Sequence, residues 1–532
     1  MSNINEIESQ LWAMANKLRG AMDASEYKNY ILAFMFYKYL SERQEKYLLS
    51  TGLIEPEEGE TPNDAYVKAV ESDEELNDFL EDISSTLGYA IAPYDTWASL
   101  LKRVREGEVI PSDFQRIFDN FNKYAELNHE AAQDFKGIFN DVNLGDSRLG
   151  NNTNERAKTI SGIVTLVDDV DYVDDTGKDI LGDIYTYLIG QFAASAGKKG
   201  GEFFTPHEVS EVMAQIVTDG RKESDEVFSV YDPTCGSGSL LLTVGNALPG
   251  GDKPGAVKYF GQERNTTTYN MARMNLMMHD VDYKNMTLSN ADSLERDWPD
   301  GPDSHGIDHP RSFDAVVSNP PYSQHWDNSD SKLKDARFSA YGKLAPKTKA
   351  DYAFLLHGLY HLDEEGTMAI VLPHGVLFRS AAEEQIRKVL INKNYIDTII
   401  GLPANLFYGT SIPTIIMVLK RNKDNKDILF IDASQEFEKA KAKNTLSQEN
   451  IDKIVKAYKD RKDIDRYSHV ASKDEIIQND YNLNIPRYVD TSEKEPEIDL
   501  KAVLSKISET EKEISTLEKD IFEQLKILGV ID

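Results

Sequence analysis

Val227-Phe228-Ser229-Val230-Tyr231-Asp232-Pro233-Thr234-Cys235-Gly236-Ser237-Gly238-Ser239-Leu240-Leu241-Leu242-Thr243-Val244 is the stretch on which the fold turns. Residues 227–231 form a short apolar run of the kind that becomes a buried strand. Two closely spaced glycines follow, and the apolar residues 240–244 then open a helix. Strand, glycine turn and helix is the layout of a nucleotide-type cofactor site in an α/β sheet. Gly236 and Gly238 allow φ > 0 and let the backbone approach a ligand. The helix start offers free N–H groups to an anionic group. A plain strand–helix turn has the same local pattern, so the surrounding residues must arbitrate.

Downstream, Val257-Lys258-Tyr259-Phe260-Gly261-Gln262 reads as a second strand, ending at Glu263, placed to accept ribose hydroxyls. Met286-Thr287-Leu288-Ser289-Asn290-Ala291 ends in the same way at Asp292, placed to accept an amino N–H. Either acid alone is an ordinary surface carboxylate or helix cap. Together, at successive strand ends, they favour a cofactor. Phe313-Asp314-Ala315-Val316-Val317-Ser318 then runs into Asn319-Pro320-Pro321-Tyr322. Prolines cannot continue a strand. The tetrad therefore belongs to a rigid loop at a strand's C-terminal end, where open α/β sheets keep their sites. Its chemistry fits a planar amino group. The Asn319 side-chain carbonyl and the Pro320 main-chain carbonyl each accept one N–H, and the Tyr322 ring stacks on a heterocycle. Cys235, with no base beside it, reads as a small residue in a tight turn rather than a nucleophile.

With these motifs in this order, the chain resembles S-adenosylmethionine-dependent adenine-N6 DNA methyltransferases. More narrowly it resembles the modification subunits (HsdM) of type I restriction–modification systems. Residues 232–238 and 319–322 are similar to motifs of amino-methyltransferases at large. Gly201-Glu202-Phe203-Phe204-Thr205-Pro206-His207-Glu208-Val209 resembles the cofactor-closing segment that type I modification subunits place just upstream of the glycine loop. Ala350-Asp351-Tyr352-Ala353-Phe354 and Gly366-Thr367-Met368-Ala369-Ile370-Val371-Leu372-Pro373 resemble later stretches of the family. The resemblance implies S-adenosylmethionine as cofactor, held by Glu202, Phe203, Phe204, Thr205, Pro206, His207, Asp232, Gly236, Ser237, Gly238, Glu263 and Asp292. It implies Asn319, Pro320, Pro321 and Tyr322 as catalytic residues. The partners it implies are double-stranded DNA with its target adenine flipped out, a separate specificity subunit, a second copy of this chain, and a restriction (nuclease or translocase) subunit.

Composition agrees with a large globular protein. A length of 532 residues suggests about three to four domain-sized units. One cysteine excludes an internal disulfide framework and suggests a reducing compartment. Residues 1–6 carry no basic or apolar leader pattern, and residues 31–40 are too short to span a bilayer and are broken by Lys38, so a cytoplasmic protein is expected. Nothing has metal-ligand spacing; His207 and His374 each adjoin a proline and read as structural hydrogen-bonding residues. The net charge of −31 opposes a phosphate backbone. Two resolutions are open. The loop over residues 323–349 holds Lys332, Lys334, Arg337, Lys343, Lys347 and Lys349, with Trp326, Phe338 and Tyr341 interleaved, next to the tetrad. Alternatively a partner supplies most DNA contacts, as the family resemblance implies.

The expected architecture is a doubly wound, Rossmann-like α/β core of the methyltransferase kind, with an N-terminal all-helical domain and a C-terminal coiled-coil helix. Residues 1–150 read as helical, with Ile7, Leu11, Met14, Leu18 and Ile31, Phe34, Met35, Tyr39 at helical spacing. Residues 151–179 read as a linker after the polar 146–153 stretch. Residues 180–435 alternate strand and helix signals, with further strands at 368–372, 396–402, 414–419 and 428–431. Residues 436–497 read as a helical or irregular extension. In the tail, 498–532, Leu500, Ile507, Ile514, Ile521 and Leu528 recur every seven residues, a coiled-coil seam for a partner subunit.

The expected activity is methyl transfer to the N6 amine of a flipped adenine. Two alternatives stand beside it. One is a methyltransferase of another planar nitrogen: cytosine N4, an RNA base amine or a protein glutamine. The other is a cofactor-binding scaffold subunit without catalysis.

Overall fold

The structure, a computed structural model, describes residues 24–70, 72–170, 172, 180–195, 204–224, 226–296, 301–302, 308–309, 312–407, 410–439, 443–491 and 499–532. Among the described residues one large sheet has nine strands: β1 (Phe228–Asp232), β2 (Val257–Gln262), β3 (Met286–Ser289), β4 (Phe313–Ser318), β5 (Leu362–Pro373), β6 (Ile396–Gly401), β7 (Thr414–Lys420), β8 (Ile428–Asp432) and β9 (Ser468–Ala471). The principal helices are α1 (Ala24–Ser50), α2 (Thr153–Asp168), α3 (Leu181–Ser195), α4 (His207–Val217), α5 (Ser239–Ala247), α6 (Thr266–Met278), α7 (Asp351–Tyr360), α8 (Gln448–Asp460) and α9 (Leu500–Ile527).

The strands lie in the order β9-β8-β6-β7-β5-β4-β1-β2-β3. β7 is antiparallel to β5 and β6, and β9 to β8, while the other pairs are parallel. From β1 the chain winds outward to β2 and β3, then returns to β4 on the other side of β1. The β1/β4 junction is thus the point where connections diverge and a crevice opens at the strand C-termini. Successive strand residues point to opposite faces. Val230, Ala315, Val317, Ala369 and Val371 join the apolar cluster that holds α4 and α5. Val316, Met368, Ile370 and Met417 join the one that holds α7. Both faces are covered, which is why these strands read as near-continuous apolar runs.

The N-terminal helices join the same apolar cluster as α4 and α5 and lie in the same compact unit, residues Met1–Val489. α1 is buried on every side from Tyr30 to Leu40, as a helix apolar all round must be. Lys38, inside that run, is met by the Asp168 carboxylate at 3.4 Å and lies over the Trp97 ring. No helix among the described residues is long and apolar enough to cross a membrane. Tyr39 donates its hydroxyl to the Met277 carbonyl at 2.7 Å, docking α1 on α6.

Two expected boundaries change. Residues 151–179 are not simply a linker. Asn152 accepts the Glu155 N–H at 2.9 Å and caps α2, which buries Ile160, Ile163, Val164, Leu166 and Val167. A polar Asn pair looks the same whether it precedes a helix or sits in a linker; here it caps, and the helical region runs on to Asp168. Residues 173–179 lie outside the described residues. The 436–497 extension, expected as helical or irregular, also supplies a strand to the sheet. α8 packs on α4, and β9 pairs along β8 from Ile428↔Ala471 to Ile431↔Ser468, closing the sheet edge.

Residues 490–532 form a separate unit. Asp499 caps α9, and none of its side chains is buried. Leu500, Ile507, Ile514, Ile521 and Leu528 are between 49% and 70% exposed.

Candidate functional site

The ends of β1, β2, β3 and β4 converge on a cleft of about 320 Å³, within the size range of small-ligand sites. Of the residues expected to form the site, Thr205, Asp232, Gly236, Ser237, Glu263, Asp292, Asn319 and Pro321 line it.

Asp232 ends β1 and is buried. Its Oδ1 accepts the Thr234 N–H at 2.8 Å, and the Thr234 hydroxyl meets that of Ser318 at 2.8 Å, joining the ends of β1 and β4. Burial pushes its carboxyl up to about 7 against the lowering pull of the Thr234 hydrogen bonds, with the Glu263 charge adding to the rise. Glu263 closes β2. Its Oε1 accepts the Asn265 N–H at 2.7 Å, and burial pushes its carboxyl up as well. Two desolvated carboxylates are costly in their charged forms, and a cationic ligand offsets that cost. The site's acids therefore fit a positively charged cofactor such as S-adenosylmethionine. Asp292, after β3, is half-buried. Its Oδ1 accepts the Leu294 N–H at 3.0 Å and its Oδ2 lies 3.4 Å from the Arg264 guanidinium.

Gly236 and Gly238 both adopt positive φ, +55° and +76°. Gly236 borders the cleft, whereas Gly238 faces away from it. A Cβ at Gly238 would strike the Leu276 Cδ1 on α6. Its role is to let α6 approach the start of α5, which corrects its assignment to the cofactor wall. Gly238→Asp is expected to destabilise the protein by about 1–3 kcal/mol through overpacking and positive-φ strain, and to weaken cofactor binding indirectly. Thermal melting beside calorimetry checks this. Lost binding with an unchanged melting temperature would return the side chain to cofactor space.

Cys235 borders the cleft but is buried, its N–H donating to the Gln262 carbonyl at 2.9 Å, and burial pushes its thiol well up. A thiol so held is no nucleophile.

Asn319 donates from Nδ2 to the Thr205 hydroxyl at 3.0 Å, and its Oδ1 accepts the Tyr322 hydroxyl at 2.8 Å. An amide oxygen has two lone pairs, so one acceptor site remains. Pro320 is buried and Pro321 borders the cleft. Tyr322 is half-buried and edge-on to Phe407, ring centroids 6.2 Å apart. Its hydroxyl orients Asn319, a role that a stacking reading of the ring does not reveal. Ser323, at φ +55°, donates its N–H to Asp351 Oδ1 at 3.0 Å, and Asp351 is held by Arg379 at 2.9 Å. The tetrad loop is thereby pinned to the start of α7.

The upstream segment divides. Glu202 and Phe203 lie outside the described residues. Phe204 lines an adjoining cavity of about 260 Å³ that shares Ser237 and Asn265 with the cleft. Pro206 is buried as the residue before α4, and His207 is exposed at its first position, away from the cleft wall. Thr205 is the described residue of this segment that reaches the cleft.

The 323–349 loop also differs from expectation. Trp326, Phe338 and Tyr341 are buried in the core that holds α7, so they do not stack on a nucleotide. Arg337 is buried, and Lys332 is held by the Leu294 carbonyl and Glu295. Lys334, Lys343 and Lys347 remain exposed.

Thr234, Gln262, Asn265, Ser293, Gln324 and Phe354 also line the cleft without having been singled out. Thr234, Gln262, Asn265 and Ser293 lie within two residues of the expected acids, so the strand ends themselves pointed to them. Gln324 lies two residues beyond Tyr322, and only Phe354 is brought in by tertiary folding.

Residues 176–497 match the family described as N-6 DNA Methylase, and residues 7–167 match the HsdM N-terminal domain. The chain is 38% identical to the type I restriction enzyme MpnII methylase subunit of Mycoplasma pneumoniae, over 98% of this chain and 97% of that protein. It is 33% identical to the MjaVIII methylase subunit of Methanocaldococcus jannaschii, over 94% and 80%. A crystal structure of a type I restriction–modification methyltransferase subunit from Streptococcus thermophilus is similar at TM-score 0.83 and 45% identity, covering 92% of this chain and 100% of that one.

Proposed function

The chain belongs to the N-6 DNA methylase family, among the methylase subunits of type I restriction enzymes, and from that premise we propose its reaction and the residues that perform it. The reaction is transfer of the S-adenosylmethionine methyl group to the N6 amine of an adenine flipped out of duplex DNA. One observation carries this reading: Asn319, oriented from both sides by Thr205 and Tyr322, lines the same cleft as Asp232, Glu263 and Asp292.

The cofactor supplies an electrophilic methyl group on sulfonium sulfur. Glu263 accepts ribose hydroxyls, Asp292 an amino N–H, and Asp232 offsets the ligand's positive charge. The adenine amine is a poor nucleophile because its lone pair is conjugated into the ring. Asn319 Oδ1 and the Pro320 carbonyl each accept one of its N–H bonds, favouring tetrahedral character at nitrogen and aiming its lone pair at the methyl group. The Tyr322 hydroxyl keeps Asn319 in place, and its ring bounds the base. Such positioning is worth about 7–11 kcal/mol at best. The family description favours adenine N6 over other planar nitrogens, and the oriented Asn319 weighs against a scaffold without catalysis.

A net charge of −31, with Lys334, Lys343 and Lys347 as the exposed lysines of the loop after the tetrad, leaves this chain poorly equipped to read DNA. A specificity subunit supplies that function, with a second copy of this chain and a restriction subunit completing a cytoplasmic assembly. The purified chain is expected to bind S-adenosylmethionine but not to methylate a defined duplex. Adding the specificity subunit is expected to confer adenine-N6 methylation with a steep salt dependence. A methylation assay on one duplex with and without the partner decides this. Robust sequence-specific methylation by the chain alone would sink the division of labour.

A further inference from the structure

We propose that Arg337 and Tyr231 are positioning residues: they belong to a buried hydrogen-bond chain, Arg337–His357–Tyr231–Gln262, through which the loop after the tetrad sets the cofactor acids. The proposal rests on reading the cleft as the cofactor site.

Arg337 is 2% exposed although it comes from a lysine-rich loop. Its guanidinium forks onto Asp335, with Nε 3.0 Å from Oδ1 and Nη2 2.6 Å from Oδ2. Nη1 donates to the Ser293 carbonyl at 2.7 Å and to His357 Nδ1 at 2.9 Å. His357 is fully buried. Burial, His361 and the Arg337 guanidinium hold its imidazole well below the ordinary range, so it is neutral. With Nδ1 accepting from Arg337, the ring proton sits on Nε2 and donates to the Tyr231 hydroxyl at 2.8 Å. Tyr231 in turn donates to Gln262 Oε1 at 2.6 Å. Donor directions run consistently along the whole chain.

The chain's position gives it a function. Tyr231 immediately precedes Asp232, Gln262 precedes Glu263, and Ser293 follows Asp292. One guanidinium therefore reaches, directly or through one or two side chains, the neighbour of each of the three acids at the cleft. An apolar core would fill this space without desolvating a charge. A buried network instead specifies one arrangement; this one is joined from Arg337 to Gln262 Oε1, while Gln262 Nε2, at the cleft, has no hydrogen-bond partner among the described residues. The loop that follows Asn319 and the strand ends that hold the cofactor are thereby set as one body.

Calorimetry with S-adenosylmethionine on the full chain, beside thermal melting, tests this. Tyr231→Phe removes one hydroxyl and is expected to weaken cofactor binding about tenfold. Arg337→Lys keeps the charge but loses the fork, and is expected to do the same from outside the cleft wall. The double variant is expected to bind no more weakly than the weaker single one, since both break one chain. Tyr89→Phe is the control. It deletes a buried hydroxyl that donates to the Leu40 carbonyl at 2.8 Å in the helical region. It is expected to lower the melting temperature comparably while leaving affinity unchanged. Unchanged affinity in Tyr231→Phe, with melting lowered as in Tyr89→Phe, would overturn the proposal; additive losses in the double variant would do so too. A wild-type chain that binds no S-adenosylmethionine would instead remove the cofactor reading, and this proposal with it.

Discussion

Asn319→Ala is expected to cut methyl transfer by about two to three orders of magnitude in the assembled enzyme, the scale of losing one preorganised hydrogen-bonding group. Cofactor affinity should stay within about twofold of wild type, because the three acids and the glycine turn are untouched. The substitution removes the acceptor proposed for the substrate amine. It also strips the Tyr322 hydroxyl and the Thr205 hydroxyl of their shared partner. Asn319→Asp separates these effects. It keeps an acceptor for both the amine and the Tyr322 hydroxyl, and Thr205 can rotate its hydroxyl to donate, so activity well above the alanine variant is expected. The readout is single-turnover methylation with saturating cofactor, beside calorimetry. An alanine variant within a few-fold of wild type would mean that the tetrad only caps β4.

Removing residues 490–532 is expected to abolish co-purification with the specificity subunit while leaving melting and cofactor binding of the remaining chain unchanged. The unit boundary follows Val489, and no side chain of α9 is buried. What is lost is a row of apolar side chains, Leu500, Ile507, Ile514, Ile521 and Leu528, each 49% or more exposed. Burying one such side chain is worth about 1.5–3 kcal/mol, so a few of them decide whether an assembly forms. Normal recovery of the complex from the truncated chain would show that the seam serves something else. A lowered melting temperature would show that the helix stabilises its own chain.

Much of the core was legible because apolar run length and turn chemistry are local properties. β2, β4 and β6 start where their sequence runs start. β9 was not legible. Ser-His-Val-Ala carries almost no apolar signal, and its place comes from backbone pairing along β8. β5 extends back to Leu362 through Asp363-Glu364-Glu365, a polar stretch that no periodicity marks as strand. Trp326, Phe338 and Tyr341 are equally apolar whether they face a base or a core, and only packing assigns them to the core.

The same division runs through the site. By itself the sequence determined that a glycine turn, acids at strand ends and Asn-Pro-Pro-Tyr follow apolar runs, because strand-end chemistry is written within a few residues of each run. It equally determined the seven-residue seam of the tail, which is pure spacing. Only the tertiary structure decided that Thr205 and Tyr322 grip Asn319 from two sides, that Gly238 serves helix packing rather than the ligand, and that Arg337 leaves its basic loop to join His357, Tyr231 and Gln262. Apart from the Tyr322–Asn319 bond, which is local to the tetrad, those hydrogen bonds join residues from 20 to 126 positions apart. A hydrogen bond between such residues depends on strand order and side-chain direction, which no local pattern encodes.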